Sequence, residues 1–242
     1  FRSWTINFFA RGIFTKITKN MSEKLLENVH EDLPDPTTSG KTIVISGKYS
    51  YFHYNCDDFQ DAGWGCGYRT LQTMCSWIRN CKDEPTPDVP SIRRIQETLV
   101  HLNDKPESFI GSREWIGALE VFYTVDAIYS VSCKIVHIPS NGDVKKYVTL
   151  IKKYLEDYGG FIMMGGDVDC SSKGIVGVHI AGNDAYLLIV DPHYVTTSGK
   201  VQREDIQRTN FVRWQHTSEF LDSSFYNLCL PLIKDSKELH AD

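Results

Sequence analysis

The sequence has no long run of charges of one sign and no long hydrophobic run. Its 242 residues carry a formal net charge of -5, and the 26 lysines and arginines are scattered along the chain. A nucleic-acid-binding surface usually shows a basic stripe or a recognisable motif, and neither is present, so we expect no nucleic-acid partner. The apolar runs are far too short to cross a bilayer, so we predict no transmembrane segment.

The sequence also lacks cysteines at the spacings typical of disulfide scaffolds and zinc sites. The seven cysteines are an odd number and include no Cys-x-x-Cys pair, so the sequence does not predict a small disulfide scaffold. Four of them are crowded together, which raises the question of a zinc site: Cys56, Cys66, Cys75 and Cys81. Their spacings do not match the usual paired-ligand patterns. We therefore expect reduced thiols in the cytoplasm, with no metal and no cofactor.

Cys66 lies in the most informative stretch of the chain, residues 61–72, which reads Asp-Ala-Gly-Trp-Gly-Cys-Gly-Tyr-Arg-Thr-Leu-Gln. Four apolar residues follow at the spacing of one buried helical face: Leu71, Met74, Cys75 and Ile78. The cysteine is thus predicted where a glycine-rich loop enters a helix. Free N–H groups and the positive dipole end favour an anion there, and the thiolate is the nucleophilic form of cysteine. A buried structural cysteine in a tight turn is the alternative interpretation.

A nucleophile needs a base, and the best candidate follows an apolar run that predicts a buried strand, residues 185–190. The run ends in Asp191-Pro192-His193. Proline cannot donate a hydrogen bond within a sheet, which favours a strand end, and residues two apart on extended chain point to the same side. Asp191 could therefore hold the imidazole of His193, whose other ring nitrogen would face the cysteine.

These stretches together resemble the cysteine proteases specific for the ubiquitin-fold modifier. The matching motifs are Gly-Trp-Gly-Cys-Gly-Tyr-Arg at 63–69 with Gln72, a Phe-His-Tyr-Asn-Cys segment at 52–56 that contains Tyr54, and Asp-Pro-His at 191–193. The likeness runs from about residue 49 to about residue 232. It implies a thiol protease that trims the modifier precursor to a C-terminal glycine and cuts the isopeptide bond between the modifier and a lysine.

The resemblance also implies one role for each of four residues: nucleophile Cys66, base His193, orienting acid Asp191 and oxyanion donor Tyr54. Gln60 is a rival oxyanion donor, because it stands six residues before the cysteine, where papain-like proteases keep a glutamine. His179 is a rival base within the strand predicted for residues 175–180. A histidine within a strand is more often packed and hydrogen-bonded, and no acidic residue lies two positions away.

Two other functions remain open. Autophagy-type and ubiquitin-directed cysteine proteases share a related pattern, although Gly-Tyr-Arg at 67–69 favours the ubiquitin-fold modifier group. A catalytically silent module that only binds a ubiquitin-like protein is the alternative from another class. In each case the expected partner is a ubiquitin-like modifier, and we expect the chain to be a monomer.

The predicted elements are segregated along the chain. Helices dominate from Cys66 to Leu155 and strands dominate afterwards, which predicts an α+β, papain-like fold with a helical layer on a mostly antiparallel sheet. We expect residues 1–40 to be a poorly structured leader and residues 41–242 to be a single catalytic domain. The first 20 residues have a transit-peptide-like composition, or belong to a translated leader. This short leader favours the short form of the family, without an extra N-terminal domain.

Overall fold

The computed structural model of the protein describes residues 25–82, 85–169, 171–195 and 201–234. Within these ranges the α-helices are α1 (Cys66–Cys81), α2 (Ile92–His101), α3 (Ala118–Tyr129), α4 (Val148–Tyr158) and α5 (Arg203–Arg208). The strands are β1 (Lys41–Val44), β2 (Cys133–Ile138), β3 (Ile162–Gly166), β4 (Ser172–Ala181), β5 (Asp184–Val190), β6 (Val212–His216) and β7 (Tyr226–Pro231). None of the described helices is both long and apolar enough to cross a membrane.

The strands form one sheet in the order β2-β7-β3-β4-β5-β6, and each pairing between them is antiparallel. Strand β4 is long enough to pair with two strands along one edge. Its first half pairs with β3, where Ile162 lies opposite Ile175, and its second half pairs with β1, where Lys41 lies opposite Ile180. The mostly antiparallel sheet predicted from the sequence is confirmed.

Helical layers cover both faces of the sheet. Helix α1 packs on one face, where its Trp77 shares a core with Met163 of β3. Helix α4 packs on the other face, where its Ile151 shares a core with Ile162, the neighbour of Met163 on the same strand. Successive residues of β3 thus enter opposite cores, as the period of two in a strand requires. The α+β class predicted from the segregation of helices and strands is confirmed.

The chain before β1 differs from the leader expected over residues 1–40. The N–H of Tyr51 donates to the carbonyl of Leu26 at 2.8 Å. The Val29 side chain is fully buried in the core beneath α1. This part of the chain is therefore built into the domain, because its backbone has partners and its apolar side chain is covered. Residues 1–24 lie outside the described residues.

His179, the rival base, is a packed residue of β4. Its side chain is buried, and its ring nitrogens both bond to threonines of the β1 side of the sheet. Nδ1 lies 2.7 Å from Oγ1 of Thr42, and Nε2 lies 2.7 Å from Oγ1 of Thr37. Both nitrogens are therefore occupied by structural hydrogen bonds.

We predict that His179→Ala lowers the free energy of unfolding by about 1–3 kcal/mol, because it removes a buried ring and leaves the half-buried hydroxyl of Thr42 without its hydrogen-bond partner. Urea denaturation followed by circular dichroism measures the change. His137→Ala is the control: this histidine also hydrogen-bonds a side chain, that of Asn227, but it is exposed, so its loss should cost no more than about 0.5 kcal/mol. Equal losses in the two variants would contradict the structural role of His179.

Candidate active site

Cys66 is the first residue of α1, as the sequence predicts. The loop before it folds back on Asp61, whose carbonyl accepts the N–H groups of Trp64 at 3.2 Å and Gly65 at 2.8 Å. Gly63 has a φ of +87°, a conformation that suits glycine. The turn leaves the cysteine at the helix N-terminus, where N–H groups without an intrahelical acceptor point toward the site.

Asp191 and His193 follow the end of β5 and are bonded to each other. The Asp191 carboxylate accepts the backbone N–H of His193 at 3.0 Å, and Oδ1 of Asp191 lies 2.5 Å from Nδ1 of His193. Because Nδ1 is held by the carboxylate, Nε2 is the ring nitrogen left to face the Cys66 thiol, to which the imidazole hydrogen-bonds. The sequence predicted this pair from its spacing of two residues.

The backbone of the Asp-Pro-His segment is held from two directions. The hydroxyl of Tyr51 donates to the carbonyl of Asp191, and the N–H of Tyr54 donates to the carbonyl of Pro192 at 3.0 Å. From the other side, the N–H of Asp191 donates to the carbonyl of Phe211 at 2.8 Å, just before β6. The position of His193 is thus set by main-chain bonds as well as by its carboxylate partner.

Tyr54 completes the group of four predicted residues. Its hydroxyl donates to Sγ of Cys66 and accepts the N–H of Gly63. Its ring packs edge-on against the imidazole of His193, with the ring centroids 5.1 Å apart. Gln60, the rival oxyanion donor, is exposed to solvent. The structure therefore brings together Cys66, Asp191, His193 and Tyr54.

The electrostatics of the site favour a thiolate beside an imidazolium. Burial alone would raise the pKa of Cys66, but hydrogen bonds from His193, from the N–H of Ser172 and from Tyr54 lower it below the ordinary thiol value. Burial opposes the charge on His193, yet its bonds to Asp191 and Cys66 raise its pKa to about 9. The lowered pKa of Cys66 and the raised pKa of His193 both favour the charged form of each partner.

The remaining two groups are held in the states that this pair needs. Burial raises the pKa of Asp191, but the hydrogen bond from His193 outweighs it, and the pKa lies below its ordinary value. Burial and then the charge of Cys66 raise the pKa of Tyr54 well above its ordinary value, so the phenol keeps its proton and remains a donor. The site can thus supply a nucleophile, a proton carrier and an oxyanion donor.

The sequence did not indicate the Ser172 N–H or the exposure of Trp115. A main-chain donor has no residue-type signal, so the contact of Ser172 with Sγ could not be found from the pattern. The side chain of Trp115 is 55% exposed. Its two chain neighbours contact the start of α1. The carbonyl of Ile116 packs closely against Gly67, and the carbonyl of Glu114 accepts a hydrogen bond from the hydroxyl of Tyr68 at 2.9 Å, which places Trp115 next to the site.

Cysteines Cys56 and Cys75, which raised the question of zinc, lie outside this group. Cys75 is fully buried in the core beneath α1, and burial raises the pKa of Cys56 to about 11. Across the described ranges, no three His, Cys, Asp or Glu side chains are placed to hold a metal ion.

A nucleophilic cysteine at the start of a central helix, faced by a histidine and an acid from the sheet, defines a papain-like cysteine peptidase. Residues 40–229 match the model of the family described as Peptidase family C78. The chain belongs to this family, and the papain-like fold and cysteine protease class expected from the sequence are confirmed.

Relatives with known names agree with this assignment. The chain is 43% identical to "Probable Ufm1-specific protease 1" of Drosophila melanogaster, over 89% of this chain and 91% of that protein. It is 38% identical to mouse "Ufm1-specific protease 1", over 85% of this chain and 94% of that protein. The crystal structure of UfSP from C. elegans superposes with a TM-score of 0.75 at 28% identity, covering 88% of this chain and 38% of that one.

We predict that iodoacetamide alkylates Cys66 with a pH midpoint below that of an ordinary thiol, because the hydrogen bonds to Sγ favour the thiolate. In His193→Ala the midpoint should rise, since burial remains and the main opposing hydrogen bond is lost. Mass spectrometry after alkylation from about pH 4 to pH 10 measures both.

Cys56 of the same protein is the internal control, because its raised pKa predicts slow alkylation at neutral pH. Digestion before aspartate separates the two cysteines, since Asp57 and Asp61 lie between them. An unchanged midpoint in His193→Ala would show that the imidazole does not hold the thiolate.

Proposed function

We propose that this protein is a thiol protease that cleaves after the C-terminal glycine of the ubiquitin-fold modifier, Ufm1. The observation that carries the proposal is the meeting of His193, Tyr54 and the Ser172 N–H at the Cys66 sulfur. The names of the Drosophila and mouse relatives support the choice of substrate. The membership in Peptidase family C78 supports the reaction class.

The reaction begins when the Cys66 thiolate attacks the carbonyl of the modifier's terminal glycine. Negative charge develops on that carbonyl oxygen, and we assign its stabilisation to the Tyr54 hydroxyl and the Cys66 N–H. The His193 imidazolium gives its proton to the leaving nitrogen, and the C–N bond breaks to leave a thioester on Cys66. Water then attacks the thioester, with His193 as the base, and the thiolate leaves.

The same steps serve two bonds. In a precursor the leaving group is the α-amine of the next residue, and in a conjugate it is the ε-amine of a lysine. The histidine protonates either amine, because both accept a proton as the C–N bond breaks. We propose both activities, precursor processing and deconjugation, with Gly65 and Trp64 lining the slot for a glycine without a side chain.

A silent binding module fits the site less well. A module that only recognises the modifier has no use for a thiol whose pKa is lowered by three hydrogen bonds. A cytoplasmic location and a monomeric state stay predictions. The described cysteines are free thiols, which is in keeping with a reducing compartment.

We predict that the chain forms a covalent adduct with a Ufm1 probe that carries an electrophile in place of its C-terminal carboxylate. Intact-mass analysis reports the adduct, and Cys66→Ser, which lacks the thiol, should form none. Ubiquitin and autophagy-modifier probes run in parallel. An adduct with one of those alone would replace the proposed substrate and keep the chemistry, and no adduct with folded protein would favour the binding module.

We also assign the exposed surface around Trp115 to the body of the modifier, because a large aromatic side chain open to solvent beside a nucleophile is a ready contact. Trp115→Ala should raise KM about fivefold or more and leave kcat within about twofold. Ile135→Ala is the control, since this residue is also exposed but lies on β2 at the far edge of the sheet. Equal changes in KM in the two variants would refute the assignment.

A further inference from the structure

A buried cluster of charged residues lies one helical turn after Cys66. Arg69 of α1 sits between two carboxylates of the preceding loop, Asp57 and Asp61. The side chains of Arg69 and Asp61 have no exposed surface, and that of Asp57 is 11% exposed. Neither the sequence motif nor the proposed chemistry assigns a task to these charges.

Every N–H donor of the Arg69 guanidinium has an acceptor in this cluster. Nε and Nη2 donate to the two carboxylate oxygens of Asp61, at 2.8 and 3.0 Å. Nη1 and Nη2 bond the two oxygens of Asp57, at 2.9 and 2.6 Å. The fifth donor reaches Oε1 of Gln72 at 3.0 Å. The planar guanidinium of arginine has five donors and matches these acceptors. The ammonium group of a lysine has only three and could not make the same bonds.

Asp61 connects this cluster to the loop that carries Tyr54. Its carboxylate oxygen Oδ1 accepts the N–H of Asn55 at 2.8 Å, and its own N–H donates to Oδ1 of Asn55 at 3.3 Å. Asn55 directly follows Tyr54 in the chain. These two bonds close the loop between Asn55 and Asp61. The position of Asp61 therefore sets the position of the backbone next to Tyr54.

Asp61 also shapes the turn that leads into Cys66. A Cβ on Gly65 would overlap the Asp61 carboxylate, so the glycine allows the two to pack together. Within the same turn the N–H of Gly63 donates to the Tyr54 hydroxyl. The turn anchored on Asp61 thus contacts Tyr54 through Gly63 and leads directly into the helix that begins at Cys66.

Stability alone is a weak account of such a cluster. Replacing a buried ion pair with apolar residues of similar volume is often neutral or stabilising, because removing charges from water is costly. A planar, fully bonded arginine has a second use, which is to set geometry. Apart from its bond to Gln72, every bond of Arg69 joins α1, which begins at Cys66, to the loop that follows Tyr54.

We propose that Arg69, held by Asp57 and Asp61, is a positioning residue that sets the Tyr54 hydroxyl against the reacting carbonyl. The proposal rests on the proposed function only in that Tyr54 is the oxyanion donor. Arg69 touches no substrate and acts through the Asp61 turn.

The test begins with Arg69→Lys, which keeps the charge and loses the fork. Its kcat on the Ufm1 precursor should fall about tenfold or more, because a small displacement of an oxyanion donor is costly, while KM stays within about twofold. The pH midpoint of Cys66 alkylation should rise by less than in His193→Ala, because the Tyr54 hydroxyl lowers the pKa of the thiol less than His193 does. The matched control is Arg203→Lys, an arginine that also bridges two carboxylates, Glu31 and Asp32, and its kcat should be unchanged.

A double-mutant cycle with Tyr54→Phe separates positioning from general support of the fold. Tyr54→Phe alone should lower kcat about 100-fold. If Arg69 acts through Tyr54, then Arg69→Lys should lower kcat less than about twofold in the Tyr54→Phe background. An equal loss in both backgrounds, or no loss from either single change, would overturn the proposal.

Two further measurements keep the test decisive. If Arg69→Lys does not fold, Asp57→Asn replaces it, since this partly exposed carboxylate leaves the Arg69–Asp61 pair in place. The binding of a peptide that ends in glycine aldehyde is measured in every variant, because its adduct with the thiol places an oxygen where the oxyanion forms. If the wild-type protein binds the aldehyde but cleaves no Ufm1, the substrate proposal fails. The same double-mutant cycle, measured as affinity for the aldehyde, then decides the role of Arg69.

Discussion

The ion pair between the Cys66 thiolate and the His193 imidazolium joins the two layers of the molecule. One partner begins the helix and the other follows a strand, so the pair forms only if helix and sheet pack at the right depth. Burial by itself acts against both charges. The donors around the sulfur and the Asp191 carboxylate behind the ring reverse that effect, which makes the charged pair a property of the assembled site.

The segment that ends at Tyr54 shows how the site is held from outside the sheet. From the sequence, Tyr54 was the one residue of this segment that was assigned a role. In the structure, however, the hydroxyl of Tyr51 and the N–H of Tyr54 bond carbonyls of the Asp-Pro-His segment. The same segment is itself bonded to Leu26, near the start of the described chain. The residues before β1 therefore support the position of His193 indirectly, through the segment that contains Tyr51 and Tyr54.

The glycines around Cys66 serve close packing more than flexibility. A Cβ on Gly65 would overlap the Asp61 carboxylate, and one on Gly67 would come within 2.6 Å of the carbonyl of Ile116. Gly63 is the exception, because open space surrounds it and its positive φ is the reason for glycine. The motif thus reflects how tightly the cysteine helix is packed against its own loop and against the segment before α3.

By itself the sequence determined the start of a helix at Cys66, the end of a strand before Asp191 and the segregation of helices from strands. These features depend on periodicity and turn chemistry within a few residues, so they can be found locally. Only the tertiary structure decided that Tyr54 and not Gln60 reaches the sulfur, and that the N–H of Ser172 does so too. Those contacts join segments far apart in the chain, and one of them uses a main-chain group that every residue except proline has.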